Sequence, residues 1–472
     1  MTVSAARTSA PHRFHPTILR EYDIRGIVGE TLSEEDAYYI GLGFGTFILN
    51  NNPNATKVCV GYDGRVSSPM LEAAVAKGIM ETGLTALRIG LGPTPMLYFA
   101  VRDLPADGGI MITGSHNPPT HNGFKAMQAK AALFGTDIKK LGEYVESGNV
   151  IRRSGGKSQD VSVKEKYLEA LLGAYRGEKL LTIAWDAGNG AAGEIMEQLC
   201  QRLPGKHVAL FGDIDGTFPN HHPDPSVAKN LQDLIATVAQ EKCDLGVAFD
   251  GDGDRVGVVD DEGQILWGDQ LMALLSEDVL KDIPGATIIA DVKASQTLFD
   301  GIAAKGGKPL MWKTGHSLIK AKMAETGAPL AGEMSGHIFF ADRYYGFDDG
   351  LYGAVRVIDI VSRSGLKLSD WRKKLPATIA TPELRIPCPE DRKFAVIDET
   401  KQRLTAAKAD METIDGVRVN TGSGWWLLRA SNTGAQLVAR CEAKDAASLK
   451  TAEAQLLEQL RLSGVEFKTE AH

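Results

Sequence analysis

One short pattern occurs three times and limits what the chain can fold into. Lys57-Val58-Cys59-Val60-Gly61-Tyr62-Asp63 runs into Gly64, Arg65 and small residues, then a helical pattern from Met70. Leu181-Thr182-Ile183-Ala184-Trp185-Asp186 runs into Ala187-Gly188-Asn189-Gly190 and a helical pattern from about Ala192. Ala286-Thr287-Ile288-Ile289-Ala290-Asp291 runs into Val292-Lys293-Ala294-Ser295 and a further helix. A short apolar run bounded by turn residues reads as a buried strand. Strand, aspartate, small-residue loop and helix at this spacing build α/β domains. The expectation is three related mixed-sheet α/β domains around a central cleft. Such a loop is also a common phosphate cradle, although structure alone explains each copy.

The C-terminal part reads differently. Gly416-Val417-Arg418-Val419, Gly424-Trp425-Trp426-Leu427-Leu428-Arg429 and Leu437-Val438-Ala439-Arg440-Cys441 read as adjacent strands, followed by a helix from about Ala446 to Leu462. That is a smaller α+β domain, a sheet with helices on one face. With 472 residues the chain is too long for one core. Ser154-Gly155-Gly156-Lys157-Ser158 reads as the first linker. The second boundary falls near Gly263 and the third between Trp371 and Pro382. The expected domains are therefore 1–160, 161–263, 264–376 and 377–472. Residues 1–15 read as loosely ordered, with structure from about Ile18.

Two stretches carry chemistry. The apolar run Gly109-Ile110-Met111-Ile112 leads into Thr113-Gly114-Ser115-His116-Asn117-Pro118, so Ser115 sits on a sharp loop at the end of a strand. Open α/β sheets keep their ligands there. Leu245-Gly246-Val247-Ala248-Phe249 leads into Asp250-Gly251-Asp252-Gly253-Asp254-Arg255. Three carboxylates so close repel one another unless a cation lies between them, and the glycines let the backbone turn all three inward. Oxygen-only ligands suit a hard cation such as Mg²⁺. A calcium EF-hand needs Gly at the sixth loop position and Glu at the twelfth; Arg255 and Asp261 stand there, and a strand precedes the loop. A serine nucleophile beside such a loop suggests phosphoryl transfer.

Two more loops complete a set of four: Gly332-Glu333-Met334-Ser335-Gly336-His337 and Arg429-Ala430-Ser431-Asn432-Thr433-Gly434. Together the four resemble, in order and over nearly the whole chain, the α-D-phosphohexomutase family, most closely its bacterial phosphomannomutase/phosphoglucomutase branch. The resemblance implies an isomerase that interconverts hexose 1-phosphate and hexose 6-phosphate through a hexose 1,6-bisphosphate. Ser115 would carry the phosphoryl group, and Asp250, Asp252 and Asp254 with a phosphoserine oxygen would bind Mg²⁺. Arg25 would lie beside the phosphoserine. His116 and Lys125 are both candidates for general acid or base, and the sequence does not choose between them. Glu333, Ser335 and His337 would meet sugar hydroxyls, and Tyr22, Arg255, Lys293 and His316 would contact substrate. Arg429, Ser431, Asn432 and Thr433 would hold the phosphate that is not reacting. The family usually continues this last loop Thr-Thr-Pro or Thr-Glu-Pro; here it is Thr433-Gly434-Ala435. Met334 matches the pattern for mannose and glucose together. Phosphoglucosamine mutase, a calcium- or sugar-phosphate-binding protein without turnover, and a phosphatase remain as alternatives.

The charge balance, 52 basic against 60 acidic residues for a net −8, argues against a nucleic-acid or membrane-surface partner. An anionic phosphosugar must therefore find its basic groups gathered locally. Glucose 1,6-bisphosphate is the implied activator. Five scattered cysteines without a C-x-x-C pair indicate neither zinc nor a disulfide framework. With a polar N-terminus and no apolar run of membrane length, the expectation is a cytoplasmic monomer or weak dimer.

Overall fold

The computed structural model describes residues 11–432 and 434–467. Within them the chain forms three α/β domains and a C-terminal α+β domain, each with its own sheet. The first three sheets share a plan. In each, the repeated apolar run supplies a strand, Lys57–Tyr62, Leu181–Asp186 or Thr287–Asp291. A second strand, Gly108–Ile112, Leu245–Phe249 or Leu330–Gly332, lies parallel to it. The chain then reverses into an antiparallel strand, His121–Gln128, Val256–Asp260 or Ile338–Phe340. All three site loops, 113–120, 250–255 and 333–337, are this one reversal.

The shared plan gives the repeated aspartate a use. Asp63 Oδ2 accepts the Gly114 N–H at 3.1 Å. Asp291 Oδ1 lies 3.4 Å from the Met334 N–H. In the second domain the same position, Asp186, turns instead to the Gly188 N–H and to His221. An aspartate one strand over thus anchors the neighbouring loop's backbone in two of the three domains.

The first three domains share a continuous apolar core. It runs from helix Thr94–Asp103 through Trp185 and Phe249 to the buried helix Gly350–Ser364. The fourth domain has a core of its own. Strand Gly424–Ala430 alternates as a two-residue period requires: Trp426, Leu428 and Ala430 enter that core, whereas Trp425 and Leu427 pack on Val292 of the third domain. Polar contacts also cross this seam. Arg418 lies 3.7 Å over the Trp425 ring and donates to the carbonyls of Val292 and Ala294. Glu442 accepts from Trp425 Nε1 and Ser295 Oγ.

Two expectations need correction. The stretch 154–158 is not a free linker: Lys157–Asp160 is a polar, exposed edge strand, parallel to Thr85–Leu91. All four of its residues are exposed, so no side-chain alternation marked it. At the N-terminus packing starts before Ile18, since Phe14 is buried in the first core and His12 bonds Asp36 at 2.8 Å. Residues 1–10 lie outside the described residues. No helix among the described residues is long and apolar enough to cross a membrane.

Candidate active site

Ser115 is 1% exposed and has φ +51°. That left-handed setting is uncommon outside glycine and costs on the order of 1 kcal/mol or more. Its N–H donates to Thr113 Oγ1 at 2.8 Å, and its Oγ donates to Asp250 Oδ2 at 3.2 Å and lies 3.1 Å from His116 Nδ1. The two loops approach closely because position 251 is glycine: a Cβ there would sit 2.4 Å from the Ser115 carbonyl oxygen.

Asp250, Asp252 and Asp254 are fully buried, with ligand oxygens within 4.8 Å of one another. Asp252 Oδ2 accepts from Lys125 Nζ at 2.7 Å, Thr94 Oγ1 at 2.5 Å and Thr113 Oγ1 at 3.1 Å, and Asp254 Oδ2 accepts from Lys125 at 2.5 Å. The other oxygens, Asp252 Oδ1 and Asp254 Oδ1, have no hydrogen-bond partner among the described residues. Orphaned buried carboxylate oxygens in an all-oxygen set fit a hard cation such as Mg²⁺. Burial and the two neighbouring carboxylates push Asp250 well above the usual carboxylate range. A cation would relieve that crowding. Burial alone would lower the Lys125 pKa, but Asp252 and Asp254 outweigh it and hold the ammonium charged.

Arg25 and Arg255 flank this centre. Arg25 Nε donates to Asp23 at 2.6 Å and its Nη1 to the Gly114 carbonyl at 3.3 Å. The Arg255 N–H donates to Asp250 Oδ1 at 3.1 Å, and its Nε donates to His337 Nε2 at 3.1 Å. His116 is held well below the usual imidazole range by burial, then by Arg255 and Arg25, so its ring is neutral.

A second trio, Asp254, His337 and Asp348, also clusters within 4.8 Å. It does not suit a cation. Arg255 donates to His337 Nε2, which leaves Nδ1 as the ring's donor, 3.2 Å from Asp348 and 3.5 Å from Asp254. Lys320 already neutralises Asp348 at 2.7 Å.

The remaining predicted residues form a second group beside the first. His316 stacks on His337 with ring centroids 5.6 Å apart. Glu333 accepts the Gly315 N–H at 2.6 Å, and Ser335 is half-buried beside it. Lys293 pairs with Glu383 at 3.0 Å, which holds that glutamate down to about 2. Tyr22 donates to the Thr314 carbonyl at 2.8 Å and accepts from Asn432 Nδ2, tying the first domain to the fourth. Burial pushes its phenol up to about 12. Arg429 is 5% exposed, and its Nε donates to Asp415 at 2.9 Å. Ser431 is buried in the same loop. Thr433 lies outside the described residues.

Several site neighbours escaped the sequence reading: Arg65, Thr94, Asp348, Lys320, Glu383, Asp415 and Lys393. Lys393, 1% exposed, donates to the Gly434 carbonyl at 3.1 Å in the loop that lacks proline. Only Arg65 carried a usable signal, an arginine directly after the repeated Asp63-Gly64.

Comparison with known proteins agrees with this architecture. Family profiles described as phosphoglucomutase/phosphomannomutase alpha/beta/alpha domains I, II and III match residues 16–149, 165–263 and 267–379. The profile for the C-terminal domain matches 383–459. A phosphomannomutase/phosphoglucomutase from Pseudomonas putida is 45% identical over 440 residues, covering 93% of this chain and 94% of its own length. A phosphoglucomutase from Neisseria meningitidis is 44% identical, covering 92% and 94%. The crystal structure of a phosphoglucomutase/phosphomannomutase family protein from Burkholderia thailandensis superposes with a TM-score of 0.90 at 41% identity, covering 96% of this chain and 99% of that one. With all four of its domains matched in order, and the Ser115 hydroxyl bonded to the aspartate loop, the chain belongs to the phosphoglucomutase/phosphomannomutase family.

Proposed function

We propose that the protein interconverts hexose 1-phosphates and hexose 6-phosphates, with mannose and glucose as sugars, through phosphoserine at Ser115 and a hexose 1,6-bisphosphate. The observation that carries this is the buried Ser115 Oγ, in a left-handed backbone setting, facing three carboxylates, two of which keep an orphaned oxygen. Asp250, Asp252 and Asp254, with a phosphoserine oxygen, would hold Mg²⁺. When bound, the cation would offset charge on the transferring phosphoryl group.

The chain's residues then do the following. The phosphoryl group passes from Ser115 Oγ to a sugar hydroxyl as the O–P bond to serine breaks; His116 takes the hydroxyl proton and returns a proton to the departing Ser115 Oγ, 3.1 Å from its Nδ1. His116 is the candidate whose Nδ1 lies against Ser115 Oγ, whereas Lys125 Nζ is committed to Asp252 and Asp254. Arg25 and Arg255 flank the transfer. Glu333, Ser335 and His337 take the sugar hydroxyls, with His316, Lys293 and Tyr22 lining the same cleft. The bisphosphate turns over, and its other phosphate returns to Ser115. Throughout, Arg429, Ser431, Asn432 and Thr433 hold whichever phosphate is idle. Five unpaired cysteines, four of them buried, support a reducing, cytoplasmic setting.

Replacing His116 by Gln should lower kcat about 10²- to 10⁴-fold, the usual worth of a general acid or base. An unchanged kcat would transfer that role to Lys125. Arg429→Ala removes a charge-assisted contact worth roughly 1.5–3 kcal/mol, or about 10- to 150-fold in binding. The idle phosphate is held in ground and transition states alike, so the loss should fall on KM. Kinetics with glucose 1-phosphate check it, and an unchanged KM removes this loop from the site. The overall reading is tested by a coupled assay with mannose 1-phosphate, glucose 1-phosphate and glucosamine 1-phosphate, with and without glucose 1,6-bisphosphate. Turnover of the first two, activated by the bisphosphate, is expected; turnover of the glucosamine ester alone would contradict it.

A further inference from the structure

We propose that Arg65 is the positioning residue that holds Ser115 in its reactive setting, an inference that rests on Ser115 being the phosphoryl carrier. Arg65 is 1% exposed and touches none of the reacting atoms. Its Nη2 donates to the carbonyls of Ser115 at 2.7 Å and Asn117 at 2.6 Å. Its Nη1 donates to the carbonyls of Pro118 at 2.7 Å and His121 at 3.0 Å. Three carbonyls of this loop, and that of His121 at the head of the next strand, therefore converge on a single guanidinium. Without it they would repel one another, and the carbonyl of the buried Ser115 would lose this donor.

Asp63 completes the grip from the other side. Its Oδ2 lies 3.2 Å from Arg65 Nε and accepts the Gly114 N–H at 3.1 Å. Its Oδ1 accepts the Arg65 N–H and Ser68 Oγ, so it is itself fixed. The pair thus holds a donor just before Ser115 and the carbonyl of Ser115 itself. With both fixed, φ at +51° cannot relax without breaking a charge-assisted bond. The approach is close enough to require glycine at 114, where a Cβ would lie 2.4 Å from the Arg65 guanidinium carbon. The second domain closes the remaining side: the Phe218 ring lies 5.3 Å from that carbon, and a Cβ on Gly216 would meet Arg65 Cα at 2.4 Å. Lysine cannot replace this arrangement, because its donors radiate from one atom whereas the planar fork of arginine serves carbonyls spread across it.

The effect should fall on placing Oγ rather than on binding sugar. A misplacement of about 1 Å can cost about 10²-fold in rate. Full-length Arg65→Lys and Arg65→Ala would be compared with wild type by melting temperature, by kcat and KM with glucose 1-phosphate, and by intact-mass measurement of the rate of Ser115 phosphorylation from glucose 1,6-bisphosphate. Both variants should phosphorylate Ser115 about 10²-fold more slowly and show a matching loss in kcat, with KM within about threefold of wild type. Millimolar guanidinium should recover part of the rate in Arg65→Ala and none in Arg65→Lys. If Arg65→Ala fails to fold, Arg65→Lys decides alone. A folded variant that phosphorylates Ser115 at the wild-type rate would overturn the proposal. Failure of both variants to fold would also overturn it, in favour of a general role in stability. Wild-type protein that accepts no phosphoryl group would instead sink the reading of Ser115 on which the proposal rests.

Discussion

Ser115→Ala is expected to fold normally and to lose turnover by on the order of 10⁴-fold or more, because it deletes the atom that carries the phosphoryl group. No neighbour stands ready to replace it. Thr113 Oγ1 is committed to Asp252 and to the Ser115 N–H. His116 Nδ1, 3.1 Å from Oγ, is placed to move a proton. The cost in stability should be small. Oγ makes two contacts, 3.2 Å to Asp250 Oδ2 and 3.1 Å to His116 Nδ1, each a net contribution of about 0.5–1.5 kcal/mol. The fold would survive, since Asp63 and Arg65 hold the loop through its backbone. A coupled assay run beside a thermal melt checks both halves. Turnover close to wild type would remove Ser115 from the chemistry.

Exhaustive chelation is expected to abolish activity and added Mg²⁺ to restore it. Asp252→Asn should cut turnover by at least about 10³-fold with Mg²⁺ present. Asp252 is the centre of its loop in structural terms as well. Its Oδ2 takes Lys125, Thr94 and Thr113, and its backbone carbonyl takes the Thr94 N–H at 2.8 Å. The neutral amide would keep the shape but leave Lys125 with one carboxylate in place of two. It would also give up the anionic character of the orphaned Oδ1. Mg²⁺ should raise the melting temperature of wild type in proportion to the logarithm of its concentration once above Kd. In Asp252→Asn that rise should shrink or vanish. Calorimetric titration with Mg²⁺ reads this without any assay of turnover. Wild-type activity in the chelated protein, or an undiminished Mg²⁺ response in Asp252→Asn, would refute the cation site.

The parts of this account that were legible in the sequence depend on local pattern. Val58–Val60, Ile183–Trp185 and Ile288–Ala290 are buried apolar runs that end at an aspartate and a small-residue loop. They announce buried strands wherever they occur. The serine and aspartate loops are legible because Gly-Ser-His-Asn-Pro and Asp-Gly-Asp-Gly-Asp contain the turn residues that expose functional groups. The fourth-domain strands show as apolar runs, but that Trp425 faces Val292 while Trp426 faces its own core follows only from the docked sheet.

What was not legible depends on pairing over long separations. Arg65 meets its carbonyl partners 50 or more positions away, and Arg429 is oriented by an Asp415 that also accepts the Thr314 N–H across a domain seam. Lys320 and Asp348 are unremarkable charged residues in sequence. Asp348 is nonetheless fully buried, and its charge faces Lys320, His316 and His337 together. Composition favours the surface for each of them, and only the fold reveals that their partners are waiting inside. The edge strand Lys157–Asp160 shows the same limit for backbone, since strand pairing there needs no side-chain pattern.

The central claim is that Ser115 alternately holds and gives up one phosphoryl group. Intact-mass spectrometry tests it most directly: the protein is first dephosphorylated, then incubated with Mg²⁺ and glucose 1,6-bisphosphate, then given excess glucose 1-phosphate without bisphosphate. The account predicts a gain of one phosphoryl group, mapped to Ser115, that is discharged onto the sugar in the last step and never appears in Ser115→Ala. A phosphoryl group that maps elsewhere, that Ser115→Ala also acquires, or that stays on the protein while glucose 1-phosphate is turned over, would contradict it.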